Sequence, residues 1–238
     1  MVAATNKKQE SGMTLLAVMA IMAVFAIGLL AVAPAIQQEI QREKELEAIA
    51  RGEEVAEAIR QYVEFYRGTK LPNSIDDLLE GLPRGTGKRQ ILRASAAIDP
   101  LSEDGKWRLI KADVQTLGPF AKRVQNYNGG TLPANPSPTF DRYAIVIVNS
   151  VNTGTDADTG LSDDDDTGVD DAVTDNTPFI GVASQRKGKS VIAYYGIENA
   201  SKWIFTPLFR GTRVNTNRIN QSGVFPNSNI GRRPPVNR

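Results

Sequence analysis

The residues with the most obvious chemical potential lie between Asn152 and Pro178, a stretch carrying nine aspartates and no basic residue. Within it an eight-residue unit repeats in tandem, Asp156 to Asp163 and then Asp164 to Asp171, each unit containing a Thr-Gly pair. Alternating carboxylates around a glycine suit calcium. Asp156, Asp158, Asp163, Asp164, Asp166 and Asp171 supply hard oxygens, and the glycine allows the sharp turn that aims them at one centre. The pattern is not an EF-hand loop, because Gly stands at the fifth-position ligand and the bidentate Glu at the twelfth is missing. A solvated acidic loop held open by self-repulsion accounts for the same residues. Both readings stand at this level.

The rest of the chain offers little other chemistry. Its 238 residues contain no Cys and no His, which removes thiolate nucleophiles, disulfides, the usual zinc ligand sets and histidine acid–base catalysis. Lys plus Arg number 28 against 27 for Asp plus Glu, a net charge of +1, so no global field attracts nucleic acid. No base partners a nucleophile in any recognisable spacing. The expectation is a protein that is not an enzyme and does not bind nucleic acid.

The elements that position these residues begin with a membrane signal. After a polar stretch containing Lys7 and Lys8, Met13 to Ile36 is a run of 24 residues without a charge. As a helix at about 1.5 Å per residue it is roughly 36 Å long, enough to cross a hydrocarbon core. The preceding lysines favour a cytoplasmic N-terminus. The chain then continues without a break through strong helix formers to about Tyr66. Ile36, Ile40, Leu46, Ile49, Ala56, Ile59, Val63 and Tyr66 recur at helical spacing and predict one apolar stripe. Glu47 and Arg51 stand four apart in the favourable order. One helix over about 14–66 is expected, half in the membrane and half on a domain, kinked at Pro34. The small residues Ala17, Ala20, Ala23, Gly28 and Ala31 would let neighbouring helices approach closely.

A family resemblance rests on these residues. A Lys-containing leader ending in Gly12, then Met13-Thr14-Leu15-Leu16, an apolar run and an amphipathic continuation resemble the class III signal of type IV pilins and type II secretion pseudopilins. The resemblance implies cleavage by prepilin peptidase between Gly12 and Met13, and methylation of the new amino terminus at Met13. It also places Pro34 where many pilins carry a kinking proline. Most members have Glu at the fifth mature position, where this chain has Ala17. A carboxylate in the bilayer is costly unless paired, so Ala17 removes both that cost and the demand for a neighbour's amine. The segment Pro72-Asn73-Ser74-Ile75-Asp76-Asp77-Leu78-Leu79 is similar to one in major pseudopilins, as are Asp99-Pro100 and the following Gly105 to Ile110. Phe179 to Ser184, Ser190 to Tyr195 and Lys202 to Phe205 continue the likeness. Major pseudopilins are known for a calcium site in a loop of the sheet, which the acidic repeat would match. The partners implied are copies of this chain or other pilin-like subunits, prepilin peptidase and an inner-membrane assembly platform. The implied location is the bacterial inner membrane, with a periplasmic head.

The head reads as α+β without the family. Ser74 predicts the cap of a short helix with Asp76 and Asp77 in its first turn. Trp107 to Lys111, Tyr143 to Val148, Phe179 to Ser184 and Ser190 to Tyr195 are rich in β-branched and aromatic residues and predict strands. The last two are joined by a Gly-containing connection, suggesting a hairpin. Trp107, Tyr143, Phe179 and Trp203 are expected in the core or on the sheet face. Gly118 to Thr139, with four prolines and three glycines, predicts an irregular surface insertion. Six arginines and Lys202 follow Glu198 with no acidic residue among them. The expected organisation is a leader at 1–12, a transmembrane helix at 13–36, its amphipathic continuation at 37–68, a head at 69–210 with the acidic loop 152–178, and a basic tail at 211–238. That tail is open to three readings: pairing with the acidic loop, touching an anionic surface, or remaining solvated. The expected function is a structural subunit of a secretion pseudopilus or pilus-like filament. The alternative is a single-pass, non-assembling binding module with a calcium-binding loop.

Overall fold

A computed structural model of the chain describes residues 10–153 and 177–211; within the first helix, the side chains of residues 10–12 and 29–35 lie outside the description. Helix α1 (Glu10–Phe65) is continuous for 56 residues and runs without a break across Pro34. It starts ahead of Met13, so the Gly12–Met13 bond falls in its first turns. Its end is built by glycine. Gly68 takes a positive φ of 74° and donates to the Val63 carbonyl at 2.8 Å, closing the last turn.

The class is α+β, with helices and small antiparallel sheets. A three-stranded sheet has the order β3 (Arg108–Ile110), β4 (Gly181–Ala183), β7 (Ile204–Phe205). Two hairpins complete it, β1 (Leu82–Arg84) with β2 (Gly87–Arg89), and β5 (Lys189–Tyr194) with β6 (Ile197–Asn199). Short helix α2 (Ile75–Glu80) has the expected cap: Ser74 Oγ accepts from Asp77 N, and the Asp77 side chain accepts in return from Ser74 N.

Four sequence expectations are corrected. Gly118 to Thr139 is largely not irregular, because α3 (Val114–Tyr127) occupies its first half with Pro119 inside it. Asp113 caps that helix, accepting from Thr116 N at 2.7 Å. Leu117, Phe120, Ala121 and Val124 bury one face, and this packing outweighs the hydrogen bond lost at proline. Tyr143 to Val148 is not a strand but part of α4 (Asp141–Thr153). Ala144, Ile147, Val148 and Val151 are its buried residues, a spacing of three and four that overrides β-branched propensity. β4 and β5 form no hairpin: β4 lies between β3 and β7, while β5 turns back into β6. That turn carries positive φ at both Tyr195 (50°) and Gly196 (74°), as a tight primed turn requires.

The fourth correction concerns the apolar stripe of α1. Ile36, Ile40 and Leu46 are exposed, not packed. The buried face is Ala48, Val55, Ala56, Ile59, Tyr62 and Val63, with Ile49 and Tyr66 at its margin. Glu47 and Arg51 form the expected pair at 2.5 Å. Of the four aromatics expected inside, Trp107, Phe179 and Trp203 are buried in one core. Tyr143 sits at its edge and donates to the Gly68 carbonyl at 2.7 Å, as Arg142 Nη1 does at 2.9 Å.

Candidate functional site

Among the described residues, the first half of α1 carries a large apolar surface that the head does not cover. Met13, Leu15, Leu16, Val18, Met19, Ile21, Met22, Val24, Phe25 and Ile27 are all exposed, Leu15 at 65% and Ile27 at 69%. These positions surround the helix on every side, as do the exposed Ala17, Ala20 and Ala23 between them. Among the described residues, and apart from its own helix backbone, nothing lies within 4 Å of the point where a Cβ on Gly28 would stand. A contiguous apolar surface of this kind is costly in water and marks a site of contact with lipid or with other protein. Among the described residues no helix is long and apolar enough to cross a membrane. The uncharged run of the sequence passes through 29–35, whose side chains are outside them.

The distal half of α1 carries the head. Gly52 lies where the three-stranded sheet meets the helix: a Cβ there would stand 2.3 Å from Phe205 Cδ2. Closer to the apolar half, Glu45 is fully buried. Its carboxylate accepts from Gln41 Nε2 at 2.8 Å, from Val191 N and Ile192 N at 2.9 Å each, and from Arg186 Nη1 at 3.3 Å. On the next turns Glu53 accepts from the Tyr194 hydroxyl at 2.5 Å and from Arg210 Nη2 at 2.9 Å. Burial pushes the Tyr194 hydroxyl well above its ordinary value, and neighbouring Glu53 opposes its ionisation further.

Beside this junction, loop 101–104 and residues 185–187 line a groove of about 570 Å³. At its back Asp99 is buried, its Oδ2 accepting from the Ser184 hydroxyl at 2.7 Å and its Oδ1 from Leu101 N at 2.9 Å. Burial raises the Asp99 pKa above the ordinary 3.8, against the lowering effect of those donors. A carboxyl whose folded pKa is raised favours folding most below its unfolded value, and that contribution is lost as pH rises through the folded value. Urea midpoints should therefore show the wild type losing stability relative to Asp99→Asn as pH rises from about 3.5. A difference constant with pH would refute this.

The groove mixes Glu103 and Asp104 with Arg186 and Lys187, and in it the Ser102 hydroxyl donates to Asp104 Oδ1. Among the described residues no group of carboxylates is arranged to hold a metal ion. The six candidate calcium ligands Asp156, Asp158, Asp163, Asp164, Asp166 and Asp171 lie outside the described residues, as does most of the basic segment 211–238. The structure therefore places neither. It does place Met13, Ala17, Ala20, Ala23 and Gly28 on one helix, where Met13 and the three alanines are exposed among the described residues; the side chains of Gly12 and Pro34 are outside the description. Sequence reasoning missed Glu45, which looks like Glu43 and Glu47 in a charged stretch. The available signal was its position, one turn before Ala48 and Ile49 on the packed face. Compared with known proteins, the chain matches no family model, no curated protein and no solved structure.

Proposed function

We propose that this chain is a structural subunit of a type II secretion pseudopilus or type IV pilus-like filament, anchored in the inner membrane by α1 and working through helix packing. The observation that carries the reading is the all-round apolar exposure of Met13 to Ile27 on a helix whose other half is buried in an α+β head. Such a helix needs a lipid or protein surrounding that the described residues do not supply. Ala17, Ala20, Ala23 and Gly28 leave room for close helix approach. In this reading prepilin peptidase acts between Gly12 and Met13. Calcium, if bound, belongs to the aspartate repeat.

Ala17 favours a second reading, an anchored binding module that does not assemble, because no intramembrane carboxylate demands a neighbour's amine. The first test separates processing from a plain anchor. The intact mass of the chain extracted from its native membrane should be that of a chain starting at N-methylated Met13. Gly12→Val should abolish that maturation and leave membrane retention intact. A wild-type mass corresponding to an intact Met1 start would rule out the pilin-like reading. A matured chain that cross-links to no pilin-like subunit would leave the non-assembling anchor.

A further inference from the structure

Two neighbouring backbone N–H groups seldom point the same way in a regular strand, because successive residues alternate. In β5 they do converge. Val191 N and Ile192 N both reach Glu45 Oε2 at 2.9 Å, and Val191 N also reaches Oε1 at 3.1 Å. The strand pairing shows how this is accommodated: Lys189 opposes Asn199 and Tyr194 opposes Ile197, with a register shift between them. The three extra residues on the β5 side bulge away from β6, which frees the two amides. Arg186 Nη1 at 3.3 Å and Gln41 Nε2 at 2.8 Å complete a ring of donors around the carboxylate. Consecutive amides with a guanidinium form a concavity suited to an anion.

We propose that Arg186 and the N–H groups of Val191 and Ile192 form a carboxylate-binding cradle on the head that Glu45 fills from within the chain, with Gln41 of the same helix closing its open side, fixing the head at one position along α1. The selection is specific because no neighbouring turn offers a substitute. One turn away on the same face stand Gln41 on one side and Ala48 and Ile49 on the other. Sliding the head by a turn would leave Arg186 and the two β5 amides facing Gln41 or an aliphatic chain in place of the carboxylate. Those donors would then trade a carboxylate, which accepts through both oxygens, for at most a single amide oxygen. The inference concerns the junction alone and stands whatever surrounds the apolar half of α1.

Emptying the cradle exposes its ligand class. In the full-length chain in non-ionic detergent, Glu45→Ala should lower the unfolding midpoint of the head by roughly 10 °C. Sodium acetate at about 100 mM and neutral pH should recover several degrees in this variant, by mass action, and equal sodium chloride should not. The wild type, its cradle filled, should respond equally to both salts. Acetate and chloride acting alike on Glu45→Ala would overturn the proposal. If that variant shows no cooperative unfolding, Glu45→Gln decides. It conserves shape but turns one acceptor into a donor, so a clear drop in midpoint supports the cradle. Stability equal to wild type would mean that Glu45 merely fills space.

Discussion

Gly52→Val should destabilise the head by about 3 kcal/mol or more, as strain from overpacking replaces a contact made by a bare backbone. A Cβ at this position would stand 2.3, 2.4 and 2.6 Å from three atoms of the Phe205 ring, far inside van der Waals contact. The ring has nowhere to move. Phe205 is fully buried, packs edge-on to Trp107 at 5.8 Å and lies 5.2 Å from Tyr194. Its backbone is held in register opposite Val182. Gly52→Ala poses the competing effects most cleanly. Helix propensity alone would make alanine better by about 1 kcal/mol, whereas the clash costs about 1–3 kcal/mol. The clash should win, giving a lower urea midpoint. Pairing Gly52→Ala with Phe205→Leu should recover part of the loss, with a coupling energy of about 1 kcal/mol or more. Stabilisation by Gly52→Ala alone would refute the close approach.

This contact also shows where the sequence was legible and where it was not. The long helix announces itself through length, composition and an uncharged run, and its span of Glu10–Phe65 agrees with the expected one apart from its earlier start. The Ser74 box is equally local, since two residues three apart, Ser74 and Asp77, decide it. Long-range pairing is different. Nothing local tells β4 that its partners are β3 and β7, which lie far off in sequence. Proximity of two β-rich runs made a β4–β5 hairpin look natural. Segment 141–153 failed because β-branched content was weighed above its spacing of three and four. The packed face of α1 was misplaced for a related reason. Ile36 and Ile40 were assumed to share the face of Ile59, although the head begins only at Glu45, while Leu46 stands roughly 140° around the helix from Ile59 and turns away from the head. Apolar spacing marks a face, but not how far along the helix a partner extends. Gly52 within a run of good helix formers was the one local hint of a close approach. The candidate site divides in the same way. The apolar run was readable because an uncharged stretch is a local property of the sequence, and its exposed helical part is Met13 to Ile27. Glu45 was not, because its role depends on a strand some 145 residues later.

Trp203→Ala should separate the stability of the head from the maturation of its anchor. Trp203 is fully buried, its Nε1 donates to the Ile197 carbonyl at 2.8 Å, and its ring lies 6.2 Å from that of Tyr194. Removing it opens a cavity beneath β5 and β6 and strands a buried carbonyl, a loss of about 3–5 kcal/mol. Against a total stability of about 5–15 kcal/mol, this leaves the head marginal at growth temperature. Trp203→Phe keeps most of the volume but not the donor, so it should lose only about 1–3 kcal/mol. The hydrogen bond is thereby distinguished from the packing. Neither change touches residues 1–36, the segment that the proposed peptidase and the bilayer would read. If the chain matures as proposed, the two variants should yield the same processed, methylated mass as the wild type, while protease given access to the head degrades that of Trp203→Ala first. Unprocessed Trp203→Ala would show that maturation depends on a folded head. The anchor and its cargo would then be one cooperative unit, and the helix would cease to be a self-sufficient signal.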